Sequence, residues 1–307
     1  MKKLLHIGVN AGTESLPKYF REATEYQEFK LDYQLGHNID KLGYVPDIVF
    51  LQIQNDKIHN ETVNNFIGQR IRKLRDSGAF VINWTGDKRN GVPSWMKSFA
   101  GNVSLTAFSN DEDVSLCQQS GIKSAFLQQG IDTNIYRPDG EAKNMPEIVF
   151  FANNYGNQFP LGRERKVVAE SLKTHFGNRF GLYGNGWSHS DGNLNISQHE
   201  ESKAYRGAKI AISISHFNSD RYFSDRLGRA LCSGVFVLSH NYTGIDKDFQ
   251  KGVHLDIFEN TQELINKCNH YLSKDNERKA IAKAGNEHAM KELSYQKMVQ
   301  EIIKLAE

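Results

Sequence analysis

Arginine side chains are concentrated around one predicted helix, in the stretch RYFSDRLGRALCSGVFVLSH that begins at residue 221. Serine and aspartate are residue types that begin helices, so a helix is expected to start near Ser224. The free N–H groups of such a helix and the positive end of its dipole favour an anion. A guanidinium in the first turn can add paired hydrogen bonds to that anion. The stretch therefore predicts an anion site formed by Arg221, Ser224, Asp225, Arg226 and Arg229.

Two of these residues have alternative roles. Arg226 could form an ion pair with Asp225 or another acidic side chain in place of binding an anion. Asp225 could cap the helix, which is the role that we expect, or its carboxylate could accept a hydrogen bond from a ligand hydroxyl.

A second set of reactive side chains follows the predicted strand AFVINW, residues 79–84. Asp87, in the turn Thr85-Gly86-Asp87, is a candidate general base or a ligand for an acceptor hydroxyl. An aspartate in an ordinary turn is the alternative. The basic residues at 88, 89, 163, 165 and 166 also follow strand ends, where they could hold phosphate groups. We therefore predict that Thr85, Lys88, Arg89 and Arg163 form an acceptor side. Asp87 and Arg226 are the two predicted catalytic residues.

Small and polar residues follow other predicted strands. Ligands of α/β folds bind at strand-to-helix turns of this kind. We therefore assign to the same site as Arg226 the residues Asn10, Gly12, Asn153, Asn154, Tyr155 and Gly184.

No metal site is predicted. Asp111-Glu112-Asp113 has an Asp-x-Asp spacing that can hold a metal ion, but it opens a predicted helix, where acidic residues complement the dipole. The eleven histidines have no metal-ligand spacing. The three cysteines are far apart in the sequence, so neither a disulfide framework nor a structural zinc site is expected.

Composition narrows the class of protein. The chain has 307 residues, 39% of them hydrophobic and 24% charged, which fits a globular protein with room for two domains. A net charge of +2 does not indicate a nucleic-acid or membrane partner, although it allows a local basic groove. The short apolar run near the N-terminus predicts a buried strand better than a signal peptide, so we expect a cytoplasmic protein.

Strand and helix patterns alternate along the whole chain, which predicts parallel, doubly wound sheets. Breakers between residues 131 and 146 divide the alternation into two series. We predict an α/β fold with an N-terminal Rossmann-like domain at 1–140 and a C-terminal one at 141–290, facing each other across a cleft. A last helix at 291–307 is expected to pack back towards the N-terminal domain.

Several stretches together resemble a known family. They are LQQGIDTNIYRPDG from residue 127, IVFFANNYGNQFPLGRERK from 148, RFGLYGNGW from 179, SDRLGRALCSGVFVLSH from 224, GIDKDF from 244 and LINKCNHYLSKDNERKAIAKAG from 264. With these stretches in this order, the chain resembles GT-B glycosyltransferases of a compact type. That type is related to spore-maturation-protein-like transferases and to bacteriophage enzymes. The resemblance implies an N-terminal acceptor domain and a C-terminal domain that binds a nucleotide-sugar donor.

The sequence departs from that family at one point. Many retaining GT-B enzymes place two glutamates, eight positions apart, where this chain has Arg221 and Arg229. The resemblance therefore does not imply the retaining glutamate chemistry, and it leaves the donor sugar open.

The resemblance implies an enzyme that moves a sugar from a nucleotide-sugar, most simply a UDP-sugar, to a hydroxyl, with no tightly bound cofactor. The phage-type resemblance favours 5-hydroxymethylcytosine in DNA as the acceptor, and a base in duplex DNA would have to be flipped out of the helix. A glycan or small-molecule acceptor and a non-catalytic nucleotide-sugar binder are the alternatives. An α/β oxidoreductase is disfavoured because no GxGxxG turn follows the first strand.

Overall fold

The computed structural model describes residues 1–8, 15–30, 34–52, 61–192 and 196–307. The chain divides into two compact units. The first consists of Met1–Gly130 together with Tyr295–Glu307, and the second is Ile131–Ser294. The division falls ten residues before the predicted boundary at 140, because Ile131 and Tyr136 are buried in the core of the second unit.

The first unit contains a parallel sheet with helices on both faces. Its described strands are β1 (Lys3–Gly8), β2 (Glu25–Lys30), β3 (Ile48–Gln52), β4 (Phe80–Thr85), β5 (Leu105–Phe108) and β6 (Ser124–Phe126). Its helices before residue 130 are α1 (Ser15–Ala23), α2 (Leu35–Asp40), α3 (Glu61–Asp76), α4 (Ser94–Ala100) and α5 (Asp111–Gln119). The strand order is β2-β1-β3-β4-β5-β6, and every pair is parallel.

The second unit has the same architecture. Its described strands are β7 (Ile148–Phe151), β8 (Phe180–Tyr183), β9 (Ile210–Ser213), β10 (Phe236–His240) and β11 (Asp256–Phe258). Its helices are α6 (Gly162–Phe176), α7 (Gln198–Gly207), α8 (Asp225–Cys232), α9 (Thr261–Ser273) and α10 (Asp275–Glu292). The order β11-β10-β9-β7-β8 places the first strand, β7, between β8 and β9, so the strand order reverses at β7.

The buried faces of the second sheet explain why its strands read as continuous apolar runs. Ile148 and Phe150 of β7 pack with Val168 and Leu172 of α6 on one face. The alternate residues of the same strand, Val149 and Phe151, pack with α8 on the other face. A parallel strand that is covered on both sides needs apolar residues at every position.

The final helix, α11 (Tyr295–Leu305), belongs to the first unit. Met298, Val299 and Ile302 share a buried cluster with Leu4 of β1 and Phe20 of α1. The amphipathic pattern at the end of the sequence therefore completes the core that its first strand begins.

The predicted pair of doubly wound α/β units is confirmed, whereas some local predictions were wrong. The helical pattern at 163–176 predicts that Val167, Val168, Leu172 and Phe176 all pack inward, but Val167 is 44% exposed and the neighbouring Val168 is buried. The segment after 131 was predicted to be a linker, yet the Tyr136 side chain is buried and its hydroxyl donates to Glu201. Strands β2 and β11 were missed because they are short or carry charged residues, which weakens the apolar signal.

Candidate functional site

The carboxyl edge of the second sheet at β7 and β9 is where the strand order reverses, and ligands of open α/β sheets bind at such a point. The loop after β7 and the loop after β9 contact each other there. The Leu161 N–H donates to the carbonyl oxygen of His216 over 3.1 Å, and the Phe159 and Phe217 rings lie 5.5 Å apart. The two loops therefore form one surface.

Arg165 is the buried cation of this surface. It lies in the first turn of α6 and is 3% exposed. Its guanidinium donates to the carbonyl oxygen of Asn153 after β7, over 2.9 Å, and to that of Ile214 after β9. Burial, and then the charge of Arg226, lower the pKa of Arg165 to about 9. No described carboxylate pairs with Arg165, and its guanidinium also lies 5.5 Å from the centre of the Phe150 ring, so carbonyl dipoles and an aromatic face surround its charge.

Arg226 lies at the N-terminal tip of α8. The helix is capped by Ser224, whose hydroxyl oxygen accepts from the Arg226 N–H over 3.2 Å. The Ser224 N–H in turn donates to Ser215 after β9, over 3.1 Å, and this bond ties the tip of the helix to the carboxyl edge of the sheet. The Arg226 side chain is half-buried and has no ion-pair partner among the residues that the structure describes.

His216 shares this positive environment. Burial, followed by the charges of Arg165 and Arg226, lowers its pKa from 6.5 to about 3, so the imidazole is neutral at pH 7. Its ring packs 4.6 Å from Phe159 and 5.3 Å from Tyr155, between ring centroids. Tyr155 is 45% exposed and presents part of its ring to solvent.

These contacts form a candidate anion site. Two guanidiniums without a described carboxylate partner lie close enough to lower the pKa of one imidazole, beside the N-terminus of α8. Buried charge is unfavourable unless an opposite charge compensates it. A di-anionic group at the tip of α8 would supply that compensation and interact favourably with the positive end of the helix dipole.

The loops after β7 and β8 support the site by bracing each other. The Asn153 side chain accepts from the Asn185 N–H over 2.9 Å, and the Asn154 amide donates to the carbonyl oxygen of Gly186 over 3.0 Å. Gly184 has a φ of +148°, and a Cβ there would lie 1.9 Å from the Ala152 carbonyl oxygen. The residue types at these positions are therefore explained by loop packing. Their predicted contacts with a donor stay predictions.

Arg229 lies one turn below Arg226 but in a different set of contacts. Its guanidinium pairs with Asp225 over 2.6 Å and with Glu201 of α7 over 3.0 Å. Although burial opposes it, these two carboxylates raise the pKa of Arg229. The expected cap role of Asp225 was wrong, because Ser224 is the cap and the Asp225 carboxylate faces Arg229.

Arg221 forms part of the loop that leads into α8. Its guanidinium holds the Asp248 carboxylate through hydrogen bonds of 2.8 and 3.0 Å. Its φ is +58°, a left-handed conformation that is uncommon outside glycine. The ion pair with Asp248 explains why an arginine is found at this position without invoking a ligand.

The predicted acceptor residues of the first unit follow β4. Asp87 is exposed and Arg89 is half-buried. Thr85 is buried, and its hydroxyl has no hydrogen-bond partner among the described residues. Lys88 is buried and pairs with Asp113 of α5 over 2.7 Å. The Lys88 charge is therefore already neutralised within the first unit.

The Asp111-Glu112-Asp113 stretch opens α5, as its helix-start pattern predicts. Asn110 is the cap and accepts from the Asp113 N–H over 2.8 Å. Among the described residues, no group of three or more His, Cys, Asp or Glu side chains could hold a metal ion.

Two predicted site residues, Asn10 and Gly12, lie outside the described residues. Arg163 is exposed in the first turn of α6, two positions before Arg165. The sequence grouped these two arginines as phosphate contacts and missed the buried position of Arg165. Helical spacing contained the signal, because Arg165 lies three, four and seven positions before the buried Val168, Ala169 and Leu172.

A family model described as "Glycosyl transferase-like" matches residues 163–304, just under half of the chain. Among solved structures, an alpha-glucosyltransferase (AGT) in complex with UDP superimposes with a TM-score of 0.73 at 8% identity, covering 99% of each chain. Alr3699/HepE of Anabaena, in complex with UDP and glucose, gives 0.66 at 11% identity, also with 99% of each chain. The N-terminal domain of Candida albicans trehalose-6-phosphate phosphatase gives 0.69 at 10% identity, over 100% of this chain and 96% of that one.

These likenesses confirm the predicted GT-B fold, and the C-terminal part of the chain is glycosyl transferase-like. No curated protein sequence matches the chain. Within the described ranges, no helix has the length and apolar character needed to cross a bilayer.

The environment of His216 predicts how stability depends on pH. Its pKa is 6.5 when unfolded and about 3 when folded, so below pH 6.5 the unfolded chain takes up a proton that the folded chain excludes. This contribution to the free energy of unfolding is complete above pH 6.5 and is lost as the pH falls towards 3. Replacing His216→Asn should therefore flatten the decline in the free energy of unfolding between these pH values, measured by urea titration. The control is His189→Asn, at an exposed histidine. A decline as steep in His216→Asn as in the wild type would contradict the assignment.

Proposed function

We propose that the protein is a glycosyltransferase whose second unit binds the diphosphate of a UDP-sugar and whose reaction transfers the sugar to a hydroxyl acceptor. One observation carries this proposal. Arg165 and Arg226 bring two cations without a described carboxylate partner to the point where the strand order reverses, beside the N-terminus of α8. No described carboxylate pairs with Arg165, which leaves its positive charge for a ligand.

The chemistry of sugar transfer fits these groups. The bond between the anomeric carbon and the diphosphate oxygen breaks, and negative charge develops on the leaving diphosphate. The Arg226 guanidinium and the positive end of the α8 dipole stabilise this charge in the transition state, because fixed groups do not have to reorganise during the reaction. In this proposal Arg226 contacts the diphosphate directly, and Arg165 adds charge from below while it holds the two loops together.

The choice of uridine diphosphate is supported by the solved structures that share the fold. AGT and HepE were both determined with UDP, and HepE also with UDP-glucose. Tyr155, with its exposed ring beside His216, is available to pack against a planar or ring-shaped part of such a donor. Ser224, Asn153, Asn154 and Gly184 complete the proposed donor side.

We assign the acceptor side to the first unit, with Asp87 as the general base. Its carboxylate is exposed directly after β4, so a substrate hydroxyl can reach it. Thr85 adds a buried hydroxyl without a described partner, and Arg89 follows in the same loop. Lys88 is excluded from direct contact by its pairing with Asp113.

For the acceptor we propose 5-hydroxymethylcytosine in DNA. The support is the resemblance of the Ser-Asp-Arg stretch at 224–226 to the phage type, together with the exposed guanidinium of Arg163, which can contact a phosphate backbone. A glycan or small-molecule acceptor is the second candidate, because the neutralised Lys88 removes one of the predicted phosphate contacts.

Replacing Arg226→Ala should lower the rate of UDP release from a UDP-sugar by about 100- to 1,000-fold, because a charge stabiliser of the leaving group is lost. The measurement is initial rate with a panel of UDP-sugars, with thermal unfolding as the check on the fold. The matched control is Arg179→Ala, at an exposed arginine paired with Glu147 before the start of β8. A rate within twofold of wild type, about 0.4 kcal/mol, would remove Arg226 from the site.

Replacing Asp87→Asn should lower kcat by about 100-fold or more while the Kd for UDP stays the same, because proton transfer is lost and the donor unit is untouched. The two readouts are single-turnover rate and calorimetric UDP binding. Asp76→Asn, at an exposed aspartate paired with Arg75, is the control. Equal losses in kcat and in UDP affinity would indicate a structural role for Asp87.

If DNA is the acceptor, transfer to a duplex containing 5-hydroxymethylcytosine should fall by more than about tenfold between 50 and 200 mM salt at limiting DNA, because phosphate contacts release counterions. Unmodified duplex and simple glycosides are the comparison acceptors, and mass spectrometry detects the product. Transfer to glycosides alone would establish the second candidate. UDP-sugar binding without transfer or hydrolysis would show a non-catalytic binder.

A further inference from the structure

The tip of α8 places opposite charges on adjacent residues. Asp225 is the first residue of the helix and Arg226 is the second. A carboxylate next to a cation that must bind an anion is a competitor for that cation. The same chain shows that neighbours in a helix can pair, since Arg75 and Asp76 form an ion pair of 2.7 Å in the last turn of α3. The pairing of Asp225 with Arg226 is therefore accessible and would neutralise the anion site.

The structure instead directs Asp225 to Arg229. The Arg229 Nη2 lies 2.6 Å from Asp225 Oδ2, one helical turn away. Its Nη1 lies 3.0 Å from Glu201 Oε2, and the same oxygen accepts from the Tyr136 hydroxyl over 2.6 Å. The Glu201 side chain is 7% exposed, so the far side of Arg229 is anchored in the interior of the second unit.

This arrangement separates two arginines by their partners. Arg229 has two carboxylates, and its guanidinium also lies 5.5 Å from the centre of the Tyr136 ring. Arg226 has none among the described residues, although it is next to Asp225 in sequence. All four charged groups act on the buried hydroxyl of Tyr205, which shows that they form one local cluster.

We propose that Arg229 is a positioning residue, which, anchored by Glu201 and Tyr136, holds the Asp225 carboxylate away from Arg226 and so keeps Arg226 free for a diphosphate. The inference rests on the anion-binding role of Arg226 in the proposed function. It assigns to Arg229 an effect on anion affinity without contact with the anion.

The test is the Kd of inorganic pyrophosphate and of UDP, measured by calorimetry on the full chain. Arg229→Gln removes the cation while its amide can still donate to Glu201, and it frees Asp225 to pair with Arg226. We expect both ligands to bind about 10-fold more weakly, the size of effect that loss of a charge-assisted hydrogen bond produces. Adding Asp225→Asn removes the competitor and should restore affinity to within about threefold of wild type.

A matched double variant separates positioning from the general electrostatic field. Arg229→Gln with Glu201→Gln has the same net charge as Arg229→Gln with Asp225→Asn, but it leaves the Asp225 carboxylate beside Arg226. We therefore expect it to bind as weakly as Arg229→Gln alone. Thermal unfolding is recorded for every variant, and the two double variants are compared at a temperature at which both are folded.

Four outcomes are distinguishable. Rescue by Asp225→Asn and not by Glu201→Gln supports the proposal. Equal rescue by both, or by neither, overturns it while the proposed function stands. If the wild type binds pyrophosphate but not UDP, and Asp225→Asn alone rescues pyrophosphate binding, the positioning role is supported and the nucleotide function is overturned. A wild type that binds neither ligand overturns both.

Discussion

The burial of the Arg165 charge is the constraint on which the second unit depends. Its guanidinium joins the chain after β7 to the chain after β9 at the one place where the strand order reverses. Carbonyl dipoles hold a cation less well than carboxylates do, so positive charge is concentrated at this point. Burial first, and then the neighbouring arginine charges, lower the pKa values of Arg165 and His216. In the proposed function, the diphosphate of the donor compensates this positive charge, and ligand binding would therefore stabilise the second unit.

The three arginines around α8 look alike in the sequence but differ in what balances them. Arg221 is paired with Asp248, Arg229 with Asp225 and Glu201, and Arg226 with no described carboxylate. In the proposed function, Arg226 is therefore the one of the three that binds the ligand. The three arginines differ because Arg221 and Arg229 have partners that come from the loop after β10 and from α7, which the local sequence does not show.

The sequence predicted the fold because strands such as β7 are continuous apolar runs, and their alternation with helices leaves few arrangements. It predicted the helix tip at Ser224 because capping is a local property. It could not predict that Lys88 pairs with Asp113, 25 residues away, or that Glu201 reaches Arg229. Such pairs depend on how elements that are distant in the sequence pack together, which no local pattern specifies. The position of Arg165 was an intermediate case. Its helical spacing indicated that it is buried, whereas its positive charge indicated a surface position.

The discontinuous make-up of the first unit has a consequence for biosynthesis. Chain synthesis runs from the N-terminal to the C-terminal side, so all of the second unit, Ile131–Ser294, emerges from the ribosome before Tyr295 does. Until then the apolar surface around Leu4 and Phe20 lacks the side chains of α11 that cover it in the finished protein. The first unit, although most of it is translated before the second, is therefore completed last. The nascent protein exposes an apolar surface while some 160 further residues are made, which takes on the order of ten seconds or more.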